Sequence, residues 1–150
     1  MRRWLLVVAV LLAVGWGVWG YYLVKPADHH DYRTAAVHAA QSADDAVHTV
    51  VLTGRADLAG NTLATYVRSV LGTAQNSIGG ATRRLTSQAP PDAASVSVRD
   101  RLGPLLLAAQ RDVGDAALAG ENADHDALRE VLRRLASDGN RLDAFIEAYR

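Results

Sequence analysis

Histidine and aspartate are the residues of this chain best suited to chemistry. There is no cysteine among the 150 residues. A disulfide framework, a thiolate metal site, a thiol nucleophile and covalently attached c-type haem are therefore excluded. Four of the five histidines fall between residues 29 and 48. His38, Asp44, Asp45 and His48 carry donor types that bind divalent cations. On a helix turning about 100° per residue, the apolar stripe of this segment centres about 150° from His38. His38 and Asp45 then align on the wet face, about 10.5 Å apart along the axis, too far to share one ion. Asp45 and His48 remain as metal candidates, with Asp44 as the alternative to Asp45. They offer a two-ligand exposed site, and a solvated helix face is the expectation. No cofactor is expected.

Asp45-Ala46-Val47-His48 is spaced like the Glu-x-x-His element of di-iron bundles. Such sites need inward carboxylates from four helices and two such elements. The apolar stripes given below contain no ionisable side chain except Tyr32 and Tyr149, which argues against a metal-loaded or catalytic core. His29-His30-Asp31 has the composition of a pH switch but reads more simply as a polar linker. Asp124 and Asp126 around His125 suit a helix start. Arg83-Arg84 and Arg129, Arg133 and Arg134 look basic, yet acids interleave the latter group. Glu130 is expected to pair with Arg134, and Asp126 with Arg129. Sixteen basic residues balance sixteen acidic ones, so nucleic-acid binding has no electrostatic footprint. No phosphate-binding Gly-rich loop, Gly-x-Ser-x-Gly elbow or His-Glu-x-x-His is present, and an enzyme is not expected.

The elements that must position these residues begin with a hydrophobic block. Residues 4–24 contain no charge. As a helix they span roughly 31 Å, the thickness of a bilayer core. Arg2 and Arg3 precede the block, Lys25 follows it, and Trp4, Trp16, Trp19, Tyr21 and Tyr22 suit its two interfaces. The reading is a signal anchor over residues 1–25, with a cytoplasmic N-terminus and residues 26–150 extracytoplasmic. Cleavage near Gly20, releasing a secreted chain, is the rival. Ala9, Ala13 and Gly17 recur at four-residue spacing and form a candidate membrane dimer face, so a homodimer is open.

Beyond the anchor, three breaks divide the chain: Leu58 to Thr62, Gln88 to Asp92, and Ala119 to Asp124. Each combines a helix stop with a capping residue. The segments between them carry apolar residues at steps of three and four. The first stripe is Tyr32, Ala36, Ala39, Ala43, Val47, Val50, Gly54 and Leu58. The second is Leu63, Val67, Val70, Ala74, Ile78, Ala81 and Leu85. The third is Val98, Leu102, Leu105, Ala109, Val113 and Ala116. The fourth is Leu128, Leu132, Leu135, Gly139, Leu142, Phe145 or Ile146, and Tyr149. One-sided helices of similar length predict an all-α fold, an antiparallel up-down four-helix bundle over residues 26–150. Pro104 predicts a kink or a restart in the third helix. Gly79-Gly80 weakens the second, and Asp138-Gly139-Asn140 threatens the fourth. Gly54 and Gly139 fall on the buried stripe, where they allow close helix approach. The bundle carries a net charge of −3, since three of the cations flank the hydrophobic block.

In topology and length, residues 28–150 resemble the four-helix extracytoplasmic sensing domains of chemoreceptors and sensor kinases. A second resemblance is compositional: fifteen arginines against one lysine, with 27 alanines, as in high-GC bacteria. Asp31-Tyr32-Arg33, Pro90-Pro91, Arg101-Leu102-Gly103-Pro104-Leu105 and Asn140-Arg141-Leu142-Asp143-Ala144-Phe145 look similar to segments of uncharacterised membrane-anchored or secreted helical-bundle proteins of that group. Neither resemblance implies a reaction, ligand or catalytic residue. The expected role is a non-enzymatic interaction or sensor-like module in contact with the lipid bilayer and acting through another envelope protein. A self-associating envelope scaffold, or a small-ligand-binding bundle with a dry pocket near Tyr32, Phe145 and Tyr149, is the alternative.

Overall fold

A computed structural model describes residues 28–150. The anchor segment 4–24, its dimer face at Ala9, Ala13 and Gly17, and the Gly20 cleavage point lie outside the described residues. Among the described residues, no helix is long and apolar enough to cross a membrane.

Four helices follow in order: α1 (His29–Leu58), α2 (Ala64–Ser87), α3 (Ala93–Glu121) and α4 (His125–Tyr149). Their starts are set by short polar side chains. The Asp92 carboxylate accepts from the Ser95 backbone N–H at 2.7 Å, and Asp124 accepts from Ala127 N–H at 2.9 Å. Each satisfies a donor that has no partner inside the helix. α2 departs from expectation. Its cap position is Leu63, which makes no side-chain cap and is exposed rather than part of the stripe.

Two helices stop by the same hydrogen-bond pattern. After α1, Asn61 N–H reaches Ala56 C=O at 2.9 Å and Gly60 N–H reaches Asp57 C=O at 2.8 Å. After α3, Asp124 N–H reaches Ala119 C=O at 2.9 Å and Ala123 N–H reaches Gly120 C=O at 3.2 Å. Both turns need one left-handed residue. Gly60 supplies it in the first, with φ of 70°. In the second it is Ala123, with φ of 53°. Gly120, expected to stop the helix, lies one turn too early and stays helical.

No helix is broken at the expected weak points. α2 runs through Gly79-Gly80, and α4 runs through Asp138-Gly139-Asn140. α3 is continuous across Pro104. Pro104 and Asp100, whose carbonyl loses its helical partner there, are both exposed, so water can take that carbonyl.

The helices alternate in direction. The His29 ring meets Asp92 at 3.3 Å and the Ser95 hydroxyl at 3.1 Å, joining the starts of α1 and α3. Arg33 donates to the carbonyls of Tyr149 at 2.6 Å and Arg150 at 3.0 Å, joining α1 to the last turn of α4. These contacts define a terminal end. Gly60 and Ala123 mark the opposite, loop end.

The cross-section is unequal. α1 touches all three other helices, and α3 also touches α2 and α4. α2 and α4 make no close backbone contact across the other diagonal. Side-chain size explains this. Ala36, Ala39, Ala40, Ala43 and Ala46 are buried on α1, and Ala109, Ala116 and Ala119 on α3. Small residues let these two backbones approach. Larger side chains fill the remaining space, among them Leu71, Ile78 and Leu85 on α2 and Leu128, Leu132, Leu135 and Leu142 on α4.

The stripes otherwise match the core, with two changes of register: on α2, Leu71 is buried where the stripe had Val70, which is half-buried. Leu106 is fully buried on α3, whereas Leu105 is only half-buried. The step of four from Leu102 holds the face, and the Leu105-Leu106-Leu107 run hides which leucine takes it. Gly54 and Gly139 do lie at helix crossings. Gly54 faces Leu132, and Gly139 faces Val47, Asp44 and His48.

Candidate functional site

The core carries three carboxylates that the apolar stripes did not include. Asp44, Asp112 and Asp138 are each at least nine-tenths buried. Each has apolar neighbours one turn away on both sides: Ala40 and Val47, Ala109 and Ala116, Leu135 and Leu142. That spacing is visible in the sequence. It places the three aspartates on the buried faces or at their margins.

Asp44 sits on the α1–α4 seam. Gly139 passes beneath it, where an added β-carbon would stand 3.6 Å from Asp44 Oδ1 and 3.5 Å from His48 Cε1. His48, one turn along α1, brings Nε2 to 3.3 Å from Asp44 Oδ1. From α4, Asp143 Oδ2 lies 3.9 Å from the same nitrogen. One ligand-type atom from each residue falls within 4.8 Å of the others. Burial pushes the Asp44 carboxyl above the usual carboxylate range. His48 opposes this, while Asp143 and Asp45 add to it. Asp44 Oδ1 is enclosed and has no hydrogen-bond partner among the described residues. The cluster overlaps the sequence-based candidates only in part. His48 belongs to the cluster, Asp45 is exposed and outside it, and Asp44 and Asp143 take its place. Asp143 was not legible from α1 alone, because it arrives from another helix.

A second cluster joins α3 to α4 and is cation-rich. Arg134 donates to Asp112 at 3.3 Å and to Asp115 at 2.6 Å. Arg111 approaches Asp112 at 3.9 Å, and Arg141 approaches Asp138 at 3.7 Å. Burial raises the Asp138 carboxyl, Asp112 raises it further, and Arg141, Arg111 and Arg134 hold it back. The expected Glu130–Arg134 pair is replaced. Glu130 takes Arg133, and Arg134 turns to α3. Asp126 pairs with Arg129 as expected. Three arginines face three aspartates in this cluster, which straps α3 to α4, although Asp138 Oδ2 is enclosed without a hydrogen-bond partner.

The remaining candidates separate. His38 faces solvent beside Gln41 at 3.2 Å. His30 and His125 are exposed. His29 is tied to Asp92 and Ser95, so it braces helix starts. Backbone and hydroxyl hydrogen bonds from Ser95, aided by His29, hold the Asp92 carboxyl below its usual value.

The space near Tyr32, Phe145 and Tyr149 is filled. Tyr32 is buried, and the Phe145 and Tyr149 rings pack at a centroid distance of 4.6 Å. A cleft with an apolar floor lies at the other end. It measures about 380 Å³ and is lined by Val67, Leu71 and Leu128, with Arg68, Glu121 and His125 among its polar residues. It follows from the wide α2–α4 diagonal. Large apolar side chains are exposed at the same end: Leu63 at 73%, Leu118 at 58% and Tyr66 at 57%.

No family model, curated protein or solved structure matches this chain.

Proposed function

We propose that the chain is a non-enzymatic binding module, held at a membrane by residues 4–24, that engages another envelope protein through the loop end of its bundle. One observation carries the reading. Leu63, Tyr66 and Leu118 are exposed at the end where the cleft opens. Leu52 and Leu107 are exposed as well, but each stands alone part-way along its helix, on α1 and α3. Exposed apolar groups gathered beside a cleft mark interaction surfaces. The anchor rests on the uncharged block and on the position of Arg2 and Arg3. A self-assembling rod draws no support from four helices that close on one another.

The test places a photo-crosslinking residue at Tyr66 or at Glu147 in the full chain, in its native membrane. Tyr66 should give an adduct of discrete mass, and Glu147, at the terminal end, should not. Adducts at Glu147 alone, or none at Tyr66, would overturn the loop-end reading. A mature chain beginning at Tyr21 would overturn the anchor.

The cleft also favours a second reading, a small amphipathic ligand held between α2 and α4. Its apolar floor and polar rim are the usual makeup of such sites. A thermal-shift screen in which a Leu71→Trp variant keeps every stabilising hit would reject it.

A further inference from the structure

We propose that Asp44, His48 and Asp143 form a divalent transition-metal site, with zinc the best chemical match, that pins α1 to α4. The donor set is one imidazole nitrogen and two carboxylates from two helices, a combination that suits zinc. Calcium and magnesium favour shells made wholly of oxygen.

The geometry is close to what coordination needs. Metal–ligand bonds of about 2.1 Å at tetrahedral angles put ligand atoms about 3.4 Å apart. Asp44 Oδ1 and His48 Nε2 stand at 3.3 Å. Asp143 Oδ2 stands at 3.9 Å from His48 Nε2, and its side chain is 56% exposed. A small rotation of that free side chain closes the gap. Asp44 and His48 are fixed by their places on one helix. Water completes the shell on the solvent side.

A second observation points to a cation independently of the spacing. Asp44 is 8% exposed as a residue and its side chain 12%, and its enclosed Oδ1 receives no hydrogen bond among the described residues, His48 Nε2 at 3.3 Å included. An enclosed carboxylate oxygen without a partner is costly. His48 is the one cationic partner within ion-pair distance of Asp44 among the described residues, and it is neutral unless protonated. Asp45 and Asp143 only add negative charge around it. Asp138 Oδ2 in the α3–α4 cluster is likewise enclosed without a partner, but there Arg141 stands 3.7 Å from the other carboxylate oxygen, so a cation is already at hand. Gly139 completes the argument. Its missing β-carbon leaves His48 and Asp44 in ordinary contact with the α4 backbone, so the donors can lie flat across the seam.

The test uses the full chain without a histidine tag, in detergent micelles, stripped with chelator and titrated with zinc chloride by calorimetry. One zinc should bind per chain and raise the melting temperature, since the ion binds only the folded arrangement. His48→Gln and Asp143→Asn should each weaken binding more than about tenfold. Both side chains are exposed, so the metal-free melting temperatures should stay near that of the parent. His30→Gln should bind zinc as the parent does. Absence of heat and of any melting shift in the parent would overturn the site. So would retained affinity in both ligand variants, or loss of binding in His30→Gln alone.

Discussion

A β-carbon on Gly54 would stand 2.6 Å from Leu132 Cδ2 and 2.9 Å from its Cδ1. α1 and α4 cross here with no room for a methyl group. Gly54→Ala should therefore destabilise the bundle by about 1–2 kcal/mol, although alanine is the better helix former by about 1 kcal/mol. In a Leu132→Ala background, itself about 2–5 kcal/mol less stable, Gly54→Ala should cost about 1 kcal/mol less, the coupling that a double-mutant cycle reads. Gly114 is the control. Nothing lies within 4 Å of its added β-carbon, and Gly114→Ala should stabilise by about 0.5–1 kcal/mol. Urea titration of the parent and the four variants, Leu132→Ala alone among them, checks both signs.

The α3 leucine run separates the structure from the stripe read in the sequence. Leu106 is fully buried, Leu105 half-buried and Leu107 61% exposed. Leu106→Ala should cost about 2–5 kcal/mol, and Leu107→Ala should stay within about 0.5 kcal/mol of the parent. Leu105→Ala should fall between them. The reverse order for Leu105 and Leu106 in denaturant unfolding would restore the original register.

Ala123 holds a left-handed backbone at the stop of α3. An L-residue there costs roughly 1 kcal/mol that glycine does not. Ala123→Gly should raise stability by up to about 1 kcal/mol, seen as a higher melting temperature. The residue is exposed, so packing should not mask the effect.

Asp138 gives a pH dependence with a definite sign. Its carboxyl is raised above the ordinary value of 3.8, first by burial and then by Asp112. Between the ordinary and the raised value, the folded state holds the proton that the unfolded chain has released. Its contribution to stability is therefore present at low pH and is lost as pH rises through that window. Asp138→Asn should be more stable than the parent at pH 7, and the advantage should shrink toward pH 4. Asp92 works in the opposite sense. Its lowered carboxyl supports the fold above the ordinary value and loses that support as pH falls through its native value. Melting curves at several pH values read both, and an Asp138→Asn protein less stable at pH 7 would mean that the attraction of Arg141 and Arg134 prevails.

The helices, their order and most of the core were legible because three- and four-residue spacing translates directly into one buried face. Val47, Ile78, Val113 and Leu135 all lie where that spacing puts them. Breaker residues misled for a local reason. Gly79-Gly80, Gly139 and Pro104 disfavour helix intrinsically, but packing on both sides carries the helix through them. The site was less legible. Asp44, Asp112 and Asp138 share the apolar spacing, yet charge suggests solvent, and only the partners that meet them across helices reveal burial. Asp143 joins His48 across 95 positions of sequence, which no single-helix geometry can supply.

The Arg33 clasp on the last carbonyls of α4 also sets how the domain carries a pull. Tension entering through the residues before His29 arrives beside the end of α4, and through His29 beside the start of α3. The load is shared at once by three helices. It acts along their axes as shear, the direction in which interlocked side chains resist most. A pull applied at that end therefore meets three helices together rather than the first helix alone.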